Sequence, residues 1–118
     1  MEVRNIRQIL KACADDTRLR IMNILFHRSL TVTEVYSILG INQPTASKHL
    51  SRLRMLRIVL DRREGNMVYY GLNRNPESPQ GKIVNFLLGQ FNDVRVFQED
   101  EAMLRQIKRN QAAVKSGT

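Results

Sequence analysis

Residues 42 to 54, NQPTASKHLSRLR, combine short hydrogen-bonding side chains with cations along what the spacing predicts to be one helix. The plainly apolar residues are Ala46, Leu50 and Leu53, and their intervals of four and three residues mark one narrow helix face. The rest of the helix surface would carry hydroxyl, amide, imidazole, ammonium and guanidinium groups. Such groups can reach base edges and phosphates, so this helix has the side chains to contact a nucleic acid.

The residues before this stretch predict how the helix is positioned. Asn42 can cap it, and Pro44 falls in a first turn that does not need the missing N–H. The preceding run TVTEVYSILG has the Thr31 and Glu34 spacing of a capping box, and Gly40 stands where a helix end tolerates positive φ. Two short helices joined by a three-residue turn containing glycine form a helix-turn-helix.

The flanking segments predict the remaining elements. Residues 2–14 have the apolar spacing of an amphipathic helix, and Asp15 is placed to cap a second helix. After Leu56 the pattern alternates, with IVLDRR and MVYYGL as two strands of a hairpin. Tyr69 and Tyr70 should then point to opposite faces, one to the core and one to the surface.

The predicted fold is therefore mostly α with a small β-hairpin, that is, a winged helix-turn-helix. The first and last helices carry more apolar surface than a core of this size needs, so we expect the chain to dimerise through its N- and C-terminal helices. One domain should cover residues 1–110 and a frayed tail residues 111–118. Within the domain we expect a recognition helix at about 42–56, a wing at about 58–72 and a C-terminal helix at about 81–110. Residues 98–101 are the candidate position for a break in that last helix.

The charge of the chain favours a polyanionic partner. The 118 residues carry 19 Lys and Arg against 11 Asp and Glu, a net charge of +8 with a pI near 10.4. Residues 42–66 hold six of these cations and two carboxylates, so half of the excess charge lies in about a fifth of the chain. A single cysteine and the lack of an apolar run long enough to span a bilayer predict a cytoplasmic protein without membrane attachment.

At this point the sequence resembles a known family. The runs ADDTRLRIMNIL, LTVTEVYSILGINQPTASKHLSRLRMLRIV and RREGNMVYYGL are similar, in this order, to the ArsR/SmtB family of bacterial winged-helix repressors. The resemblance is close over residues 5–73, and its most specific part is QPTASKHLSRLR followed by RREGNMVYY. Asp16 departs from the family pattern, which usually has Pro there, but both residues suit a first helical turn.

The resemblance implies a homodimer that places paired recognition helices in successive major grooves of an imperfect palindrome of double-stranded DNA. His49 and Arg52 are expected to face phosphates, although His49 could instead serve in helix packing or capping. The positions that match DNA-contacting residues of the family are Gln43, Thr45, Ser47, Lys48, His49, Ser51 and Arg52 in the recognition helix and Arg62, Arg63 and Asn66 in the wing.

A metal-sensing function is not expected. The positions that match the family's Cys-x-Cys site are Thr31 and Thr33, and hydroxyl groups are poor ligands for Zn, Cd or As. The other familiar site uses Asp and His on the C-terminal helix, and the sequence has no His after His49. Cys13 lies on the apolar face of the first helix, which favours a buried side chain over a redox-sensing thiol or a contact between two copies.

Other functions remain open. A winged helix can also be a protein-interaction module that docks an acidic partner, and a DNA-binding protein of this kind can activate transcription by competing with another protein for DNA. An enzyme is the weakest alternative, because the sequence offers no paired carboxylates, activated nucleophile or glycine-rich phosphate loop. RNA binding is disfavoured by the lack of an aromatic platform. No cofactor is expected, and the effector is unknown.

Overall fold

The computed structural model describes the backbone of residues 1–116 and the side chains of residues 1–107. The mostly helical fold with a small hairpin is confirmed. Along the described chain the elements are α1 (Val3–Cys13), α2 (Asp16–His27), α3 (Val32–Leu39), α4 (Gln43–Met55), β1 (Val59–Glu64), β2 (Met67–Leu72), α5 (Pro79–Leu87) and α6 (Arg95–Ser116).

The helix ends lie where capping residues were predicted. Asp15, Thr31 and Asn42 each accept a hydrogen bond from the N–H three residues further on, at 2.9, 3.2 and 2.9 Å. The Glu34 carboxylate in turn accepts from the Thr31 N–H, which completes the capping box. Gly40 ends α3 with φ of 68°. These local bonds satisfy N–H groups that helix ends leave without partners, so they fix where α2, α3 and α4 begin.

The hairpin of β1 and β2 is fixed to the helical body at its base. Val59 lies opposite Leu72 there, and at the tip Gly65 has φ of 60°, as the first central residue of a type II′ turn requires. Leu30, between α2 and α3, pairs with Tyr70 through two backbone hydrogen bonds of 2.9 and 2.7 Å. Leu30 therefore acts as a very short third strand that holds β2 against the helical body, and the hairpin extends outward from there.

The core is built around α2, in which residues 21–25 are all buried. Because the buried run exceeds one helical stripe, α2 must be covered on more than one side. The neighbours that cover it are α1, α3, α4, β2 and α6. Tyr70 packs against this core, while Tyr69 on the other hairpin face contacts Arg62, as the alternation predicted.

The prediction of a single C-terminal helix at about 81–110 is wrong. The structure has two helices, because Gly89 adopts φ of 83° just after α5 and residues 88–94 form a connection. Apolar spacing continues through that connection and concealed it. The expected break at 98–101 instead lies inside α6, where Asp100 bonds Arg20 and Glu101 accepts from Asn23 at 3.2 Å.

The frayed tail predicted for residues 111–118 falls outside the residues whose side chains are described, and residues 117 and 118 lie outside the described chain altogether. It stays a prediction. Among the described residues, no helix has the length and apolarity needed to cross a membrane.

Candidate nucleic-acid interface

The recognition helix α4 is attached to the core by a thin stripe of three side chains. Ala46, Leu50 and Leu53 are fully buried, as their spacing predicted. The turn that carries α4 is closed by Gly40 and Ile41, whose N–H groups both donate to the carbonyl of Tyr36. Since so few side chains hold α4 down, most of its circumference faces solvent.

The outward face of α4 is centred on Pro44, Lys48, Ser51 and Met55. These residues are spaced four, three and four apart, so they line up opposite the buried stripe, and all four are exposed. Lys48 and Ser51 were predicted contacts. Pro44 and the 73% exposed Met55 were missed, because sequence reasoning looked for polar groups and these two are apolar.

The other predicted residues of α4 flank this outward line. Gln43 and Arg52 are exposed, whereas Thr45 and Ser47 are half-buried at its edges. Thr45 also donates its backbone N–H to the Asn42 cap, which fixes the first turn. The structure thus brings the predicted side chains of α4 onto one continuous polar and cationic surface, with His49 as the exception.

His49 is half-buried and faces the junction of α1 and α2. Its Nδ1 atom lies 3.3 Å from Nη1 of Arg18. The same guanidinium donates from Nε to the Ala12 carbonyl at 2.6 Å and lies 4.0 Å from the Asp15 carboxylate. This contact favours the packing alternative for His49, and it ties α4 to the end of α1. Arg18 was missed because its partner lies 31 residues away in sequence.

The predicted wing residues occupy different settings on the hairpin. Arg62 lies with its guanidinium carbon 5.2 Å from the Tyr69 ring centroid and donates from Nε to Glu64 at 3.1 Å. Both members of this ion pair are more than half exposed, so the pair can open readily toward a phosphate. Arg63 is exposed on β1 and Asn66 is exposed in the turn.

The junction between α4 and the wing is held by side chains from the segment after β2. Arg57 has φ of 60°, a conformation that costs a non-glycine residue energy. Asn73 Nδ2 donates to the Arg57 carbonyl at 3.0 Å, and Gln80 Nε2 donates to the Leu56 carbonyl at 3.0 Å. These two amides fix the angle between recognition helix and wing, which sequence reasoning did not anticipate.

A second polar connection links α6 to the end of α3. Arg20 donates from Nε and Nη2 to the two carboxylate oxygens of Asp100 at 2.9 and 2.8 Å, and Nη2 also donates to the Leu39 carbonyl at 3.1 Å. Asp100 is 2% exposed, and its hydrogen bond raises the pKa of Arg20. Leu39 immediately precedes the turn into α4.

Two positions at which related proteins could sense a signal, Cys13 and Thr31, have side chains that are buried in this fold. Burial raises the pKa of the Cys13 thiol, although the positive charge of Arg18 opposes the shift. The thiol is therefore less readily ionised than a free cysteine, and thiolate is the reactive form. The Thr31 hydroxyl is engaged in the capping box. Across the described side chains, no three His, Cys, Asp or Glu residues cluster closely enough to hold a metal ion.

Comparison with known proteins identifies relatives that are similar in sequence or in fold. Residues 15–60 match the family model described as bacterial regulatory protein, arsR family. The arsenic resistance transcriptional regulator ArsR1 of Pseudomonas putida is 46% identical over 74 residues, which cover 61% of this chain and 56% of the relative. The match thus spans little more than half the length of that relative.

Two further relatives are matched over most of their length. The transcriptional repressor PagR of Bacillus anthracis is 36% identical over 65% of this chain and 77% of its own, and its crystal structure superposes with a TM-score of 0.61. The transcriptional activator HlyU of Vibrio cholerae is 33% identical over 71% of this chain and 78% of its own. A solved structure of HlyU covers 74% of this chain and 94% of its own, with a TM-score of 0.63. This chain belongs to the arsR family of bacterial regulatory proteins.

Proposed function

We propose that this protein is a sequence-specific, DNA-binding transcriptional regulator that acts as a homodimer in the cytoplasm. The observation that carries the proposal is the surface of α4, where three buried side chains leave an outward face that includes Lys48 and Ser51 and has further polar and cationic groups beside it. A major groove about 12 Å wide admits one α-helix, and these side chains match the donors and acceptors on base edges. Residues 42–66, which include α4 and β1, carry a net charge of +4, which favours contact with phosphates.

Each exposed residue has a proposed role that follows from its position. Lys48 and Ser51, at the centre of the outward line, enter the groove most deeply, and Gln43 reads bases from the first turn. Arg52 and the wing cations contact phosphates, and His49 acts mainly by holding α4 against Arg18. The proposed DNA-contacting set is Gln43, Thr45, Ser47, Lys48, Ser51 and Arg52 in α4 with Arg62, Arg63 and Asn66 in the wing.

The homodimer is proposed from the apolar surface of α1, the N-terminal helix, and of α5, the first helix of the C-terminal segment. Val3 is 80% exposed and Leu10 is 50% exposed on α1, and Phe86 is 77% exposed on α5. Large exposed apolar side chains of this kind mark interaction surfaces. A two-fold axis through them would pair two copies of α4, with half-sites about 34 to 36 Å apart, one turn of DNA.

The proposed output is repression, in which the dimer occupies an operator and blocks polymerase. PagR is named a repressor, and HlyU is named an activator. Activation by displacing another protein from DNA would use the same residues of this chain. A reporter placed under the chain's own upstream DNA separates the two, since deletion of the regulator raises expression under repression and lowers it under activation.

Fluorescence anisotropy tests DNA recognition directly. The full chain is titrated onto DNA from upstream of its own gene and onto a scrambled duplex of equal length, at two salt concentrations. We expect a preference of at least about a hundredfold, two chains per duplex and a steep fall in affinity with salt, because phosphate contacts release counterions. Weak, equal binding to both duplexes with a shallow salt dependence would favour a protein-interaction module that docks an acidic partner.

A further inference from the structure

An open groove lies between the first turns of α2 and the connection from α5 to α6. Its volume is about 740 Å³, and its walls are mainly apolar, including Leu19, Leu87, Phe91 and Phe97. Phe91 is 48% exposed at its edge. Sites for small molecules are clefts of roughly this volume, lined by hydrophobic side chains with a few polar groups. The groove lies on α2, α5 and α6 and contains none of the proposed DNA-contacting residues.

Two residues with hydrogen-bond donors, Thr17 and Arg20, line the groove from α2. The Thr17 hydroxyl and Nη1 of Arg20 make no hydrogen bond to any residue within the described part of the chain. The charge of Arg20 is already balanced by Asp100, which accepts two hydrogen bonds from it, and the acidic residue Asp16 also lines the groove. An anion would therefore gain little there, while a neutral acceptor such as a carbonyl oxygen would satisfy the donors.

The size of the groove suits a small molecule. Its volume of about 740 Å³ lies within the roughly 300 to 1,000 Å³ of sites that bind drug-sized ligands. A compact molecule of one or two rings would bury most of its surface against Leu87, Phe91 and Phe97.

Arg20 connects this groove to the recognition helix. Its Nη2 atom donates to the carbonyl of Leu39, the last residue of α3, and the turn from Gly40 leads directly into α4. A molecule bonded to Nη1 acts on the same guanidinium that holds the end of α3 and Asp100 of α6. We propose that the groove binds a small, uncharged, mainly apolar molecule with one hydrogen-bond acceptor, and that its occupation changes DNA affinity through Arg20. This regulatory role rests on the proposed DNA-binding function, whereas the binding itself does not.

Binding is tested first without DNA, on the full chain. Nile red, an uncharged dye with a carbonyl group, should fluoresce on binding, and 2-acetylnaphthalene should displace it at about tenfold lower concentration than 2-naphthoate. Phe91→Ala should weaken dye binding at least fivefold. Met103→Ala is the matched control, because Met103 is a similarly exposed apolar side chain of α6, 42% against 48% for Phe91, and does not line the groove. Equal displacement by ketone and carboxylate, or an unchanged dye affinity in Phe91→Ala, would overturn the proposed site.

Two further measurements test whether a second copy of the chain covers the groove and whether ligand binding in the groove changes DNA affinity. If Phe86→Ala increases dye binding as the protein becomes monomeric, the groove is covered by another chain and the proposal is wrong. Saturating 2-acetylnaphthalene should change operator affinity at least fivefold in the wild type. Arg20→Lys should still bind the dye but show no such change. Dye binding without any effect on operator affinity overturns the coupling alone, and failure of the ligand-free protein to bind DNA refutes the DNA-binding function instead.

Discussion

At the scale of single residues, we expect residues of α4 to determine sequence specificity and cations of the wing to contribute affinity for any DNA. We expect Gln43→Ala to reduce discrimination between operator and scrambled DNA by about 1 to 3 kcal/mol, since a base contact is lost. Arg63→Ala should weaken binding to both duplexes and make the salt dependence shallower, because Arg63 is proposed to contact a phosphate. Anisotropy titrations measure both effects.

The matched control is Arg105→Ala, which removes one exposed cation from α6, away from α4 and the wing. It should leave the preference for operator unchanged. Undiminished discrimination in Gln43→Ala would show that the first turn of α4 does not read bases.

Arg57 gives a prediction about stability. A left-handed residue other than glycine costs about 1 to 2 kcal/mol, and glycine recovers most of that cost while gaining entropy when unfolded. We expect Arg57→Gly to raise the free energy of unfolding by about 0.5 to 1 kcal/mol in urea titrations. Arg54→Gly, three residues earlier within α4, should instead lower it by about 1 kcal/mol. A loss of stability in both variants would contradict the left-handed conformation at Arg57.

Single residues also show which contacts could be predicted from the sequence and which could not. The buried stripe of α4 could be predicted because Ala46, Leu50 and Leu53 repeat at helical spacing. The contact between Arg18 and His49 could not, because it joins residues that only the folded chain brings together. Met55 was overlooked because it is apolar, although the same stripe leaves it on the opposite, exposed face of α4.

At the scale of elements, the caps make helix α2 sensitive to acid. The N–H of Arg18 donates to Asp15 and lowers the pKa of that carboxyl, and the positive charge of Arg18 acts in the same direction. A lowered pKa in the folded state means that the cap stabilises the fold above the pKa of the unfolded carboxyl, about 3.9, and loses its effect as the pH falls through the lowered value.

Two substitutions at Asp15 test this. We expect Asp15→Ala to lower the free energy of unfolding at neutral pH by about 1 kcal/mol, and Asp15→Asn to retain most of the cap because an amide oxygen also accepts the bond. Thermal unfolding between pH 7 and 3 should show a smaller loss of stability for Asp15→Asn than for the wild type. Parallel pH profiles would mean that the Asp15 carboxylate does not contribute through this bond.

The elements themselves differed in how well the sequence predicted them. Caps and turns are local, so α2, α3, α4 and the hairpin were predicted to within a few residues. The division between α5 and α6 was missed because apolar residues continue at helical spacing past Gly89. The apolar pattern is weaker around residues 98–101, where a break was expected, yet Asp100 is buried there because it pairs with Arg20 of α2.

At the scale of the whole molecule, the exposed apolar surface predicts that DNA binding depends on self-association. We expect Leu10→Glu to convert the dimer to a monomer in light scattering, since a charge would be buried in the interface. Operator affinity should fall at least tenfold, because two half-sites are no longer bound together. Lys11→Glu is the control, as Lys11 is a neighbouring exposed polar residue. A dimer that survives Leu10→Glu would place the interface elsewhere.

The narrow attachment of α4 has a consequence for how such a protein can diverge. Three buried side chains hold the helix, so the residues that face outward make few demands on folding. Substitutions at Lys48, Ser51 or Met55 can accumulate without loss of the native state, and each alters what the helix touches. A duplicated copy of this chain could therefore acquire a new operator by a few surface changes while its scaffold stays the same.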